Sequence, residues 1–187
     1  ARGYCVTSTR EPGGTVIGEK IRSILLDSDN PRMSMRCEAL LYAASRAQLI
    51  EEIILPALDR GDVVICERYF YSSLAYQAAG GGLDMEFVNS INRWATRDVL
   101  PDLVLLLDLD PAEGLGRKPG GLDRIEGRTL EYHKMVRAAY LDIARWDQQR
   151  FRIVDGTRPP DEVWACVWEH VQKLLEQDLR KGMTSGS

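Results

Sequence analysis

The stretch Thr9-Arg10-Glu11-Pro12-Gly13-Gly14 decides how this chain is read. It follows the apolar-rich run Tyr4-Cys5-Val6-Thr7-Ser8, which predicts a strand. A strand that ends in a charged pair, then Pro, then two glycines, leads into a loop that can come close to a ligand. Pro fixes one torsion there, and Gly tolerates a sharp turn. In open parallel sheets, ligands bind beyond the carboxyl ends of the strands. Three further runs repeat the arrangement: Val63–Cys66 before Glu67-Arg68-Tyr69, Leu103–Leu107 before Asp108 and Asp110-Pro111, and Phe151–Val154 before Asp155-Gly156. Each is short and continuously apolar, the pattern of a strand buried on both faces. Long amphipathic segments separate them, which predicts βα units around a parallel sheet. Arg10, Glu11, Glu67, Arg68, Asp108, Asp110 and Asp155 are then expected along one sheet edge. A single charged strand end is ordinary, but mixed-sign clusters at several ends favour a phosphate and metal site.

Size and composition narrow the function classes. The 187 residues suffice for one domain with a real core, and 44% hydrophobic with 28% charged residues is ordinary for a soluble protein. A net charge of -4 argues against a dedicated binder of nucleic-acid polymers. No apolar run approaches the ~20 residues that span a bilayer, and no signal-peptide pattern opens the chain. The four cysteines, at 5, 37, 66 and 166, form no C-x-x-C pair. Cys5 and Cys66 fall in predicted core strands, so reduced buried thiols and a cytoplasmic location are expected.

Between the strands, Ile17, Ile21, Ile24 and Leu25 give Val16–Leu26 a helical period. Ser34 is placed to cap a second helix with Glu38 in its first turn, running to about Arg60. Asp84 caps a helix through Trp94, and Arg128–Gln149 forms a strongly amphipathic one. Pro159-Pro160-Asp161 opens the last helix, with Val163, Trp164, Val167, Trp168, Val171 and Leu174 as its core stripe. His133 and His170 read as helix-surface residues and receive no role. The organisation expected is one domain, residues 1–180, with a flexible tail at 181–187.

Three groups of residues point to chemistry. Tyr42 and Arg46 lie four apart and share a helix face, where a ring and a guanidinium can hold a planar base. Spacing alone favours the plainer alternative, a Tyr at the core margin and a surface Arg. Arg68, at a strand-to-helix turn, suits bidentate binding of phosphate. Glu67 before it can hold a Mg²⁺-bound water or orient a phosphoryl acceptor, the alternative being a structural ion pair. Residues 117–128 form a basic, Gly-rich loop of the kind that closes over a nucleotide, or else a solvated surface loop.

Taken together these segments resemble the thymidylate kinase family, which phosphorylates dTMP with ATP. The resemblance rests on Thr9–Gly14, on Arg68-Tyr69 followed by Ser73–Gln77, on Leu122-Asp123-Arg124-Ile125-Glu126, on Tyr132–Tyr140 and on Val154-Asp155-Gly156, all in order over nearly the whole chain. It implies a three-layer P-loop kinase-like α/β fold, a parallel sheet with helices on both faces. It implies that Tyr42 stacks on thymine and Arg46 bonds its edge, with Ser73 and Gln77 near the base and Tyr76 against the deoxyribose. Arg68 and Arg10, with Glu11 beside them, fall near the dTMP phosphate. Arg117, Arg124 and Arg128 become the lid over ATP and its catalytic charge. Asp155 and Gly156 fall on the ATP side, and Glu67 serves Mg²⁺. The family is usually a cytoplasmic homodimer.

Two departures stand out. Glu67 occupies a position where the family usually has Asp, and Glu-Arg there is also similar to the deoxynucleoside kinases. The family also begins with a strand, a phosphate loop ending Gly-Lys-Thr or Gly-Lys-Ser, and a helix, whereas no Gly-Lys pair occurs among these residues. The domain is therefore expected to be N-terminally incomplete, to lack its central first strand and to show a split sheet. Its activity alone is expected to be lost, and a catalytically dead nucleotide-binding or dimer-forming relative is the alternative.

Overall fold

The computed structural model describes residues 3–117 and 122–184, with side chains described through residue 177. Residues 118–121 of the expected lid and 185–187 of the expected tail lie outside the described residues. The chain divides into two compact units, Ala1–Val99 with Pro119–Ala139, and Leu100–Lys118 with Tyr140–Ser187.

In the first unit, β1 (Val6–Arg10) pairs in parallel with β2 (Val63–Glu67), so that Arg10 stands opposite Glu67. The strand lies two residues later than the apolar run predicted. The ladder reaches further because the Glu11 amide donates to the Glu67 carbonyl at 2.9 Å. Cys5 thus precedes the strand and is exposed, which corrects its assignment to the core, while Cys66 is half-buried. Helix α1 (Val16–Leu26) starts where its period predicted, with Thr15 as the cap: its hydroxyl accepts from the Gly18 amide at 2.9 Å. Helix α2 (Met35–Leu49) is capped by Ser34, whose hydroxyl accepts from Cys37.

The predicted run to Arg60 is continuous but not uniform. A π-helical turn (Ile50–Ile54) precedes α3 (Leu55–Asp59). Pro56 brings no N–H to the carbonyl four residues earlier, and the wider turn sits just before that break. The turn carries the core of the unit: Leu49, Ile50 and Ile54 are buried against Val64, Cys66, Tyr69 and Val99. Burial of each large apolar side chain contributes roughly 1.5–3 kcal/mol. Helix α4 (Phe70–Ser73) follows β2 and passes into a second π-helical segment (Leu74–Gly80). Helix α5 (Met85–Thr96) is capped by Asp84 as expected, at 2.7 Å to the Phe87 amide.

In the second unit, β3 (Val104–Asp108) leads into α6 (Pro111–Gly116), capped by Asp110. Helix α7 (Leu130–Trp146) begins in the first unit and ends in the second. Strand β4 (Phe151–Asp155) pairs in parallel with β3, setting Asp155 opposite Asp108, and α8 (Pro160–Thr184) follows. The helix therefore continues into the stretch expected as a flexible tail.

Three expectations need correction. The four strands form two two-stranded sheets, β1-β2 and β3-β4, as a split sheet was expected to, but they are not buried on both faces. Val6, Ile65, Leu107 and Ile153 are each about half exposed: alternate strand residues point to opposite faces, and these four lie on faces left open to solvent. Trp164, assigned to the core stripe of α8, is 65% exposed and stacks on Trp168 with ring centroids 6.1 Å apart. His133 is buried rather than on the surface, its Nε2 3.2 Å from the Glu126 carbonyl. His170 sits 4.0 Å from the Cys166 sulfur.

Candidate functional site

Helix α2 places Glu38, Tyr42 and Arg46 at successive i, i+4 positions, one above the other on a single face. Helix α4 and the π-helical segment after it carry Ser73 and Gln77 at the same spacing. These two stripes meet, and their polar ends close two separate charge clusters.

At one end, Arg46 is 1% exposed. Its Nε donates to both Glu11 carboxylate oxygens, at 3.0 and 2.8 Å, and Nη2 donates to Oε2. Nη1 donates to the Ser73 hydroxyl at 3.3 Å and to Asn92 of α5. The guanidinium also lies 5.9 Å from the Tyr69 ring centre. This bidentate pair is the strong form of an ion pair, and in a buried setting it stands only because every donor and acceptor is engaged. Burial pushes the Glu11 carboxyl up from its ordinary range, against the opposing pull of Arg46. Ser45, the neighbour of Arg46, accepts from the Gly13 amide at 3.1 Å. The Thr9–Gly14 loop is thus fastened to α2 at two points.

At the other end, Glu38 is fully buried. It accepts from Arg124 Nη2 and Arg128 Nη2, both at 2.6 Å, and from Gln77 Nε2 at 2.9 Å. Arg124 is further tied by its Nε to the Leu25 carbonyl at 2.7 Å, and Arg128 by its Nη1 to the Tyr132 hydroxyl at 2.5 Å. That hydroxyl in turn donates to the Tyr76 carbonyl at 2.9 Å. Tyr42 lies between the two clusters and is half-buried. Burial pushes its hydroxyl well above the ordinary phenol range; Glu38 adds to the rise, while Arg68 and Arg124 pull against it.

Arg68 follows the end of β2 with φ +65°, in the left-handed region that costs a non-glycine residue roughly 1 kcal/mol. Its guanidinium lies over the Tyr76 ring, 5.3 Å from the centre. Strained backbone of this kind persists where surrounding structure fixes it, and it concentrates at ligand sites. Glu67 beside it ends β2 with its side chain exposed.

The glycine loop has its own lock. Glu19 of α1 accepts from the Gly14 amide at 2.9 Å and from exposed Arg10 at 3.2 Å, and Arg22 donates to the Pro12 carbonyl at 2.9 Å. The Gly14 bond, helped by Arg10, holds the Glu19 carboxyl below its ordinary range. Gly14, at φ +80°, admits no side chain, since a Cβ would lie 2.5 Å from the Thr9 hydroxyl and 2.7 Å from Leu49.

Within the second unit, Arg117 donates to the Gly156 carbonyl at 2.9 Å and pairs with Glu113. The Gly156 amide donates to the Asp108 carbonyl at 2.8 Å, and Asp155 caps the turn through Thr157. Arg117, Asp155 and Gly156 thus meet at the ends of β3 and β4.

The comparisons with known proteins agree on one family. The thymidylate kinase family model matches residues 1–167. A thymidylate kinase of Deinococcus radiodurans is 47% identical over 177 residues, spanning 92% of this chain and 84% of that protein. One of Symbiobacterium thermophilum is 46% identical over 173 residues, spanning 92% of this chain and 81% of its own length. The chain belongs to the thymidylate kinase family. That family implies a P-loop α/β fold, with which helices alternating with parallel strands agree.

For a thymidylate kinase-family chain, the residues expected at the acceptor side fall in the first unit. Tyr42, Arg68 and Tyr76 come together, and Ser73 and Gln77 line the same helix. Arg46 and Glu11 are spent on each other, and Arg10 stands apart on Glu19. Of the residues expected in a lid, Arg124 and Arg128 are docked on Glu38, while Arg117 belongs to the second unit. Sequence reasoning missed Glu38, Asn92, Ser45 and Tyr132 as site residues. Glu38 had a signal in its position one turn before Tyr42, and Tyr132 opens one of the stretches that carry the resemblance. Among the described residues no three His, Cys, Asp or Glu side chains cluster as a metal site, and no helix is long and apolar enough to cross a membrane.

Proposed function

We propose that this chain binds dTMP and serves its phosphorylation to dTDP by ATP with Mg²⁺, as a cytoplasmic homodimer. The observation that carries the reading is Arg68, held in a left-handed conformation over Tyr76 and beside Tyr42. Two rings and one cation around a half-buried space suit a planar base, a deoxyribose and a phosphate. In this reading Tyr42 stacks on thymine, and Ser73 and Gln77 form the pocket wall beside the base. Arg46, fixed by Glu11, stands where it would bond the edge of the base. Tyr76 packs against the sugar, and Arg68 grips the acceptor phosphate. Arg10 and the Thr9–Gly14 loop lie beside that phosphate, with Glu11 holding the loop through Arg46.

Transfer then needs little covalent help from the protein. An acceptor-phosphate oxygen forms a bond to the γ-phosphorus while the bond to ADP breaks, and catalysis is positioning plus charge neutralisation. Arg117, Arg124 and Arg128 supply positive charge, and Arg117, Asp155 and Gly156 take the ATP side. Mg²⁺ typically binds one or two carboxylates together with substrate phosphates. The exposed Glu67 carboxylate at the end of β2 fits that demand and would hold the ion, which neutralises phosphate charge. The surface for a second copy is the apolar groove of about 410 Å³ between α2 and α5, bordered by Leu40, Ala44, Ala47, Ile91 and Trp94. Trp94 is 83% exposed there.

A second reading is favoured by one observation: the 187 residues contain no Gly-Lys pair, so they include no phosphate loop of the expected type. Backbone amides of such a loop cradle the β-phosphate, and lid arginines do not replace them. Residues 1–187 by themselves then bind dTMP without transferring phosphate. Calorimetry and a coupled assay test both readings together. Saturable dTMP binding is expected in both readings, with dTDP formed in the first and none in the second. Turnover at about 1–100 per second would overturn the inactive reading, and a folded chain that fails to bind dTMP would overturn the acceptor site.

A further inference from the structure

We infer that Glu38 is the positioning residue of the lid: one buried carboxylate that sets where Arg124 and Arg128 stand beside the acceptor pocket. The inference builds on the acceptor-site reading but concerns a residue to which that reading gives no role.

The geometry is one-sided in a telling way. A fully buried carboxylate is costly unless it is paired, and Glu38 is paired twice. Its Oε2 takes one guanidinium nitrogen from each arginine at 2.6 Å, and its Oε1 takes the Gln77 amide at 2.9 Å. The arginines come from 86 and 90 residues further along the chain, so nothing local holds them to α2. Arg124 adds two bonds to the end of α1, its Nε to the Leu25 carbonyl and its amide to the Leu26 carbonyl at 3.3 Å. Arg128 lies over the Tyr132 ring, 4.6 Å from the centre, and Tyr132 contacts Tyr76 edge-on. The loop from Leu122 to Arg128 is thereby fixed against α1, α2 and the segment that carries Tyr76.

The charge count gives the arrangement a use. One anion against two cations leaves the cluster with one surplus positive charge, and Arg124 is close enough to pull on the Tyr42 hydroxyl. Arg124 thereby adjoins the space where an anionic nucleotide is proposed to lie, although at the Tyr42 hydroxyl itself the Glu38 charge outweighs it. Glu38 does not touch that nucleotide. It acts through the two arginines, holding them where a phosphate-bearing ligand meets them already ordered, so that less side-chain freedom is lost on binding.

The alternative is that Glu38 only fills space under the loop, and shape separates the two. Glu38→Gln keeps the size and removes the charge, whereas Glu38→Asp keeps the charge and shortens the side chain. Both arginines are trypsin sites, and they are only 8% and 17% exposed, whereas Arg117 is 49% exposed and is not held by Glu38. Ligand-free protein is digested with limiting trypsin, and cleavage after Arg124, Arg128 and Arg117 is followed by mass spectrometry. Loss of a charged latch raises the open population of the loop, so cleavage after Arg124 and Arg128 is expected to rise at least about tenfold in Glu38→Gln. Cleavage after Arg117 is expected to stay within about twofold, and Glu38→Asp to stay within about threefold of wild type at all three bonds.

An equal rise at all three bonds in Glu38→Gln, or faster cleavage of Glu38→Asp than of Glu38→Gln, assigns Glu38 to packing and overturns the proposal. Should Glu38→Gln fail to fold, Glu38→Asp decides alone, with protection kept upholding the latch and protection lost overturning it. Saturating dTMP added to wild type is expected to slow cleavage after Arg124 and Arg128 further. Protection that ignores dTMP while the Gln-against-Asp order holds upholds the latch and counts against the acceptor-site reading instead.

Discussion

The two ends of α2 solve the same problem in opposite ways. At one end a buried cation, Arg46, meets one carboxylate and two neutral acceptors, and the cluster is closed and electrically balanced. At the other a buried anion, Glu38, meets two cations and one neutral donor, and a positive charge is left over. The first cluster is assembled from the glycine loop, α2, α4 and α5. The second depends on a loop that arrives from late in the chain. The balanced cluster fastens the glycine loop to α2, whereas the unbalanced one fastens the loop that carries Arg124 and Arg128. Between them Tyr42, Tyr76 and Arg68 define the space such a ligand would fill.

Breaking the balanced cluster should have the larger effect on stability. Arg46→Ala strands the Glu11 carboxylate in the interior, a change that costs roughly 3–5 kcal/mol. Urea unfolding should register that loss, and the double replacement Glu11→Gln with Arg46→Met should recover much of it. A loss under about 1 kcal/mol would mean that the network does not hold the loop to α2. An effect on ligand choice comes next. A ring packed against a deoxyribose leaves no room for a 2′-hydroxyl, so Tyr76→Ala should raise binding of the ribonucleotide relative to dTMP by about tenfold. An unchanged ratio in competition titrations would detach Tyr76 from the sugar.

The smallest effect is expected at Glu19. Its folded pKa lies below the ordinary value, so its contribution is present above about pH 4.5 and is lost as pH falls through the lowered value. The group is exposed and screened, so Glu19→Gln should remove no more than about 0.5 kcal/mol at pH 7 and flatten the acid limb of the stability curve. An acid limb with unchanged slope would show that the glycine loop draws nothing from this bond.

Local order was legible in the sequence, and long-range pairing was not. The helix starts at Val16, Ser34 and Asp84 followed from period and capping chemistry, and the strand-end positions of Glu67 and Asp155 followed from short apolar runs. The two π-helical segments carry no periodic signal of their own. Trp164 shares a face with Trp168, and the period reports the face without saying whether anything covers it. His133 looked polar and therefore exposed, although its ring nitrogen finds the Glu126 carbonyl. Glu38 read as an ordinary first-turn acid, because its partners lie 86 and 90 residues away. Spacing alone likewise read Arg46 as a surface residue, since Glu11 and Asn92 are 35 and 46 residues distant, whereas it is buried. Family resemblance assigned Tyr42, Arg68 and Tyr76 to one site, and the fold sets Arg68 over Tyr76 and near Tyr42.

The central claim is that Arg68, Tyr42 and Tyr76 form the dTMP pocket, and titration calorimetry on wild type and Arg68→Ala tests it most directly. A charge-assisted bond to a phosphate is worth roughly 1.5–3 kcal/mol, so Arg68→Ala should bind dTMP at least about tenfold more weakly while unfolding at nearly the same temperature. A folded Arg68→Ala variant with wild-type affinity for dTMP would contradict the account.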